Sequence, residues 1–334
     1  MVPLYTLILT FAGMRRPKYS VIIPVYNRSQ ELDELLESLT HQTYKDFDVT
    51  IVEDGSTVPS DKVVEKYSDR LALQYLYKPN SGPGPSRNFG FSQAQGEYFI
   101  VFDSDCIIPS DYLQKVNDFL TVTPLDAWGG PDRGHESFSI LQRAMGYTMS
   151  SVLTTGGIRG NKFQTAGFQP RSFNMGMTKE TFIKTGGFKF DRYAEDIELS
   201  IRMRNLGLRI GLIPEAFVFH KRRINFEQFF KQVSGFGKGR VLVGRAYHGS
   251  IRLTHWFPAV FLIGLALCPL ILLLQWQLGL LLILGYCTFL LAVAIGGWIS
   301  TKSITVALSC IPSALVQLCG YGYGFLREMV KSYI

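Results

Sequence analysis

Cysteine is scarce in this 334-residue chain: there are five. Cys268, Cys287, Cys310 and Cys319 fall in strongly apolar runs, where they behave as small hydrophobic side chains. Cys106 stands alone in the remainder, which excludes a disulfide framework there and fits a reducing, cytosolic compartment. No G-x-G-x-x-G follows the first apolar strand, and G-x-x-x-x-G-K-[ST] is absent throughout. Dinucleotide and P-loop readings therefore lack their phosphate-binding devices. Charge is missing from three long runs: 257–274, 278–298 and 303–326, the last interrupted by Pro312 and several glycines. Each approaches or exceeds the roughly 18–20 helical residues that cross about 30 Å of hydrocarbon. Three in succession argue against the alternative of helices buried in a large soluble core.

Acidic residues are also sparse where the polar part meets these runs. Between His220 and His255, Glu227 alone opposes Lys221, Arg222, Arg223, Lys231, Lys238, Arg240, Arg245 and Arg252. Juxtamembrane cations stay on the cytosolic face, so the large polar domain is expected inside. Phe226, Phe229, Phe230, Val233 and Phe236 recur at helical spacing, the pattern of a helix lying in the headgroup layer over anionic lipid. A nucleic-acid patch is the competing reading of the same charge, disfavoured by the membrane runs that follow. The expected organisation is an apolar and basic leader (1–18), an α/β domain (19–224), a basic amphipathic interfacial segment (225–256), about three transmembrane helices (257–326) and a short tail (327–334). The leader's apolar stretch is too short to span and precedes its basic residues, unlike a signal peptide. It is read as membrane-touching or poorly ordered.

Within the α/β domain, apolar β-branched runs at 20–25, 47–52, 73–77 and 98–102 predict strands. Helices are expected between them: after Ser29, with Leu32, Leu35, Leu36 and Leu39 on one face, then over 60–67 and 86–94. This order predicts a mostly parallel sheet with helices on both faces, and ligands binding beyond the carboxyl ends of the strands. Asp54, the Gly/Pro loop 80–85 and the Asp103-Ser104-Asp105 triplet all fall on that edge. Two carboxylates at i and i+2 in a turn can face one point and suit Mg²⁺ or Mn²⁺; the bland reading is a polar turn before the next helix. Asp54 is an Asx-turn acceptor or a nucleobase contact. Arg87 and Asn88 meet phosphate or solvent. Asp196 is a helix N-cap or a general base, with Glu195 beside it. His220 ends a short strand and is a candidate metal ligand, diphosphate contact or interfacial residue.

Six pieces in this order, YSVIIPVYN (19–27), IVEDGS (51–56), GPGPSRNFG (82–90), GEYFIVFDSD (96–105), FNMGMTKETFIKTGGF (173–188) and EDIELSIRMRNLG (195–207), resemble family 2 glycosyltransferases of the GT-A fold. The resemblance covers about residues 19–239. It implies inverting transfer of a sugar from a nucleotide-diphosphate donor, assisted by Mg²⁺ or Mn²⁺. Carried over by motif, Pro24, Tyr26, Asn27, Asp54, Gly82, Arg87, Asn88, Asp103 and Ser104 serve the donor. Asp103, Asp105 and His220 serve the metal, and Asp196 is the base with Glu195 next to it. The implied acceptor is a membrane-associated glycan or lipid-linked saccharide at the cytosolic face of the cell membrane. The alternatives are a polyisoprenyl-phosphate sugar synthase and a non-catalytic membrane scaffold that keeps the fold. Where processive members carry Q-x-x-R-W, this chain reads Gln232-Val233-Ser234-Gly235-Phe236, which favours one or a few transfers. Glu53-Asp54 stands where many members have two aspartates.

Overall fold

The computed structural model describes residues 6–9, 16–156 and 168–331. The chain divides into two units, one of residues 1–133 and 162–220, the other of 134–161 and 221–334.

In chain order, the first unit begins with strand β1 (Thr6–Leu9), β2 (Tyr19–Val25), α1 (Ser29–Thr40), β3 (Phe47–Asp54), α2 (Asp61–Glu65) and β4 (Leu73–Lys78). There follow α3 (Pro83–Gln93), β5 (Tyr98–Phe102), β6 (Cys106–Ile107), α4 (Tyr112–Val122), β7 (Ala127–Gly129) and β8 (Asp132–Arg133). The second unit then takes α5 (Ile140–Ser150) and α6 (Val152–Thr155), and the first resumes with β9 (Asn174–Thr178), α7 (Lys179–Thr185), α8 (Glu195–Asn205), β10 (Ile210–Leu212) and β11 (Val218–His220).

An eight-stranded mixed sheet runs β1-β4-β3-β2-β5-β9-β7-β10. Its centre is parallel: β2 lies between β3 and β5, with Ile22 opposite Thr50 on one side and Val101 on the other, and β4 extends β3. The parallel α/β centre matches the expected fold class; β9 joins antiparallel to β5 and to β7, and Thr6–Leu9 of the leader pair antiparallel with β4. The rest of the leader, 1–5 and 10–15, lies outside the described residues.

Alternation along the strands builds two cores. Val21, Ile23, Val49, Ile51, Ile100 and Phe102 face one way and meet Leu32, Leu35, Leu36 and Leu39 of α1 and Leu113 and Val116 of α4. Ile22, Phe99 and Val101 face the other way, onto Phe91 of α3 and Leu199 and Met203 of α8. Burial on both faces explains why these strands read as continuous apolar runs rather than alternating ones. Each such side chain contributes about 1.5–3 kcal/mol.

Two local readings need correction. The Gly/Pro loop is shorter than expected, because α3 starts at Pro83, where proline's fixed φ suits the first helical turn and its missing N–H costs nothing. Ser29 is not the cap of α1 but its first residue; Arg28 takes the cap position, and its side chain makes no capping hydrogen bond.

The second unit continues with α9 (Phe226–Ala246), a 3-10 turn (Leu253–His255), α10 (Phe257–Leu274), α11 (Trp276–Thr301) and α12 (Ile304–Val330). The last three are long and apolar enough to cross a membrane, and they coincide with the three uncharged runs. Asn225 caps α9 by accepting from Gln228 N–H at 2.9 Å. α9 lies tightly along α12: a Cβ on Gly237 would stand 2.1 Å from the Tyr321 carbonyl oxygen, and one on Gly324 2.0 Å from that of Ser234. α5 belongs to this unit too, with Ala144 against Val306, Cys310 and Ala314, and Met145 and Met149 against Phe229 and Val233.

Candidate active site

The carboxyl edge of the parallel strands gathers most of the candidate residues. β5 ends at Phe102, and the next three residues turn back into β6, closed by Cys106 N–H donating to the Asp103 carbonyl at 3.1 Å. The turn separates the roles of the two aspartates. Asp103 Oδ1 accepts from Arg87 Nη2 at 2.7 Å, and its side chain remains partly exposed. Asp105 is buried, pairs with Arg28, and lies 3.2 Å from His220 Nε2. Burial pushes the Asp105 carboxyl up, but Arg28 and then His220 outweigh it and hold the group below the ordinary carboxylate range. Ser104 between them is buried.

Arg87, on α3, is fully enclosed and reaches two distant segments at once. Its other arm, Nη1, donates to Glu195 Oε1 at 2.8 Å, so one guanidinium joins the end of β5 to the start of α8. Burial pushes Glu195 up to about 7; Arg87 opposes the shift and the Asp196 charge adds to it. Asp196 is the second residue of α8 rather than its cap; the cap position is Ala194, in the left-handed region at φ 58°. Its Oδ1 accepts from Ile197 N–H at 2.8 Å, and its Oδ2 faces Arg171 Nη1 at 3.6 Å and Ser172 N–H at 3.5 Å.

The other predicted donor residues are distributed as follows. Asp54 accepts from Ser81 and Gly82 N–H, both at 2.9 Å, from Asn80 Nδ2 at 3.1 Å, and from Lys78. It thereby shapes the 80–82 loop, where Gly82 sits at φ +99° with the Asp191 carbonyl oxygen 2.9 Å from any Cβ. Asn27, itself left-handed at φ 54°, accepts from Thr57 N–H at 2.8 Å and donates its own N–H to Ser56 Oγ at 2.7 Å. That ties the loops after β2 and β3 together. Tyr26 beside it is exposed and Pro24 is half-buried in β2. Asn88 spends its amide within the fold, bonding the Phe188 backbone at 2.7 and 2.8 Å.

Sequence reasoning missed Arg28, Arg171 and Glu53. Glu53 is buried and accepts from Ser56 Oγ, from Ser60 N–H at 2.9 Å and from Tyr75 OH at 3.1 Å, so the extra methylene over aspartate is used to brace the loop that holds Asn27. A glutamate in place of the usual first aspartate was the one signal available. Single arginines in loops carry no periodic signature.

The donor set fits a divalent cation. Ligand atoms about 2.1 Å from an octahedral ion and at right angles lie about 3 Å apart, close to the 3.2 Å between Asp105 Oδ1 and His220 Nε2. Asp105, Cys106 and His220 offer donor atoms within 4.8 Å of one another. The Cys106 thiol points to the Phe173 carbonyl at 3.6 Å and is a soft ligand, so the oxygen and imidazole donors are the ones suited to Mn²⁺ or Mg²⁺.

The sequence description "Glycosyl transferase family 2" matches residues 20–184. That segment contains Asp54, Arg87 and the β5 turn. The chain carries a family 2 glycosyltransferase domain. Among curated relatives of the family 2 domain, an uncharacterized glycosyltransferase of Rickettsia bellii is 38% identical over 92 residues, 28% of this chain and 13% of the relative. The poly(ribitol-phosphate) beta-N-acetylglucosaminyltransferase TarS of Staphylococcus aureus is 38% identical over 107 residues, 31% of this chain and 19% of TarS. The matches thus span under a fifth of the length of these two relatives. In fold, the mannosyltransferase PcManGT of Pyrobaculum calidifontis, solved with GDP-Man and Mn²⁺, superposes with a TM-score of 0.60 at 17% identity, covering 95% of this chain and 88% of that one. The family 2 domain here is GT-A-like. Glu195, Asp196 and His220 lie beyond the matched segment and enter the site through the fold.

Proposed function

We propose that the protein is an inverting glycosyltransferase, moving a sugar from a nucleotide-diphosphate donor to a membrane-associated glycan or lipid-linked saccharide at the cytosolic membrane face. The observation that carries this reading is the pair of hydrogen bonds made by Arg87, one to Asp103 of the donor edge and one to Glu195, the neighbour of Asp196. Donor and acceptor chemistry can then meet at one centre.

In this reading Tyr26, Asn27 and Asp54 frame the nucleobase, and Asp103 and Ser104 the ribose and diphosphate. Asp105 and His220, with Asp103, would hold Mg²⁺ or Mn²⁺, which supplies positive charge against the leaving diphosphate. Asp196 Oδ2, held by long contacts, takes the proton of the acceptor hydroxyl. The acceptor oxygen attacks the anomeric carbon opposite the diphosphate; the carbon–oxygen bond to phosphate breaks and the nucleoside diphosphate departs with the electron pair. Four carboxylates (Asp103, Asp105, Glu195, Asp196) face three guanidiniums (Arg28, Arg87, Arg171). A polyanionic diphosphate therefore enters favourably with its cation and poorly without it. α10–α12 anchor the protein, and 225–256 lies along anionic lipid with the tail 327–334 following.

Calorimetry with UDP, GDP and their sugars, with and without Mn²⁺, tests the reading: binding is expected with the ion and much weaker without it. No binding of any nucleotide at millimolar concentration would favour the scaffold alternative. Once a donor is found, Asp196→Asn should lower kcat roughly 10²-fold or more for a hydroxyl acceptor. Near-normal turnover in that variant would point to a phosphate oxygen as the nucleophile.

A further inference from the structure

The three guanidiniums at the site are not equally engaged. Arg28 and Arg87 are spent on short ion pairs. Arg171 is not. Its Nη1 stands 3.6 Å from Asp196 Oδ2, beyond the roughly 2.7–2.9 Å of a charge-assisted hydrogen bond. Its Nε is buried and meets no hydrogen-bond partner among the described residues. A buried unpaired donor is unfavourable unless something else satisfies it.

The backbone around Arg171 is nevertheless firmly built. Its carbonyl accepts from Asn174 N–H at 2.9 Å, in an antiparallel bridge, and the Asn174 side chain bonds Ala216 O at 2.8 Å and Tyr112 OH at 2.6 Å. Pro170, one residue earlier, abuts Gly129, and Phe173, two residues later, packs on the His220 ring at 4.7 Å. The fold thus fixes a cation beside the proposed base while leaving its Nε without a partner among the described residues. If its purpose were to orient Asp196, a short bidentate pair would serve better than a single long contact.

We infer that Arg171 receives an anionic oxygen of the acceptor, a phosphate ester carried close to the attacking oxygen. This rests on the proposed transferase reading and gives its acceptor a chemistry. The guanidinium fork suits phosphate oxygens, and a saccharide linked to a membrane lipid through phosphate presents such a group next to its sugar. A soluble phosphate ester presents the same chemistry, and the two sources separate by experiment.

The full-length protein in phosphatidylcholine nanodiscs, saturated with Mn²⁺ and whichever nucleoside diphosphate binds, is titrated with inorganic phosphate. Wild type should bind, and Arg171→Gln should bind about 10- to 100-fold more weakly. Arg171→Lys, which keeps the charge, should recover part of the loss. In a second arm the discs carry polyprenyl phosphate: competition with inorganic phosphate in wild type assigns a lipid source, and none assigns a soluble ester. Equal phosphate affinity in wild type and Arg171→Gln overturns the inference. If Arg171→Gln fails to bind nucleotide, Arg171→Lys is compared with wild type in its place, and unchanged phosphate affinity there is equally fatal. Absent nucleotide binding in wild type strikes the transferase reading instead; the phosphate titration without nucleotide still decides Arg171.

Discussion

The two units solve packing in opposite ways. In the sheet unit the large side chains point inward: Leu36 is 0% exposed beneath the sheet, and buried charges such as Arg87 and Asp105 are held in ion pairs near the strand ends. In the helical unit many large side chains of α10 and α11 point outward, with Leu273 84% exposed, while small residues such as Gly237, Gly320 and Gly324 line the contact between α9 and α12. Water drives the first arrangement through apolar burial. The three membrane-length helices carry the opposite pattern, one suited to lipid, where that drive is absent and close backbone approach through small residues takes its place. The same residue type therefore carries different weight in each unit.

Four substitutions can break or sharpen that contrast. Leu36→Ala leaves a cavity against β2 and β3 and should cost about 2–5 kcal/mol, read as a lowered denaturation midpoint of the sheet unit. Gly324→Leu drives a side chain into the Ser234 carbonyl and should cost about 1–3 kcal/mol, seen as loss of folded protein in detergent; an undisturbed yield would mean that α9 and α12 do not rely on close approach. A smaller effect is expected from Glu195→Gln. The folded Glu195 carboxyl at about 7 lies above its ordinary 4.5, so the folded state holds the extra proton. Its contribution is complete below about 4.5 and is lost as pH rises through 7. Thermal midpoints of wild type should fall across that window and those of the glutamine variant should fall less. Leu273→Ala, on an outward face, should stay within about 0.5 kcal/mol; a large loss in detergent would mean that this face is covered by protein.

Much of the fold was legible because its signals are local. The strands at 20–25, 47–52, 73–77 and 98–102 and all three membrane-length helices follow from predominantly apolar runs, which need no distant partner to be seen. Asp103 and Asp105 were legible as a pair because a single turn joins them. What could not be read was the set of partners. Arg28 meets Asp105 across 77 residues and Arg87 meets Glu195 across 108, and no spacing rule links charges so far apart. Asn88 and Arg87, adjacent and equally polar, divide into a clamp on Phe188 and a bridge between carboxylates because the helix turns them about 100° apart. Thr6–Leu9 pairing on β4 was hidden for a different reason: an edge strand of four residues is too short to show a period.

The interruption of the sheet unit by residues 134–161 has a practical consequence for anyone seeking to produce that unit alone. Truncation after His220 strips away α9 to α12 but retains α5, whose Ala144, Met145 and Met149 are buried by those very helices. The shortened chain would display a bare oily helix in mid-sequence and clump. A fragment holding the sheet unit alone needs that excursion excised and bridged as well, so two cuts rather than one separate the units.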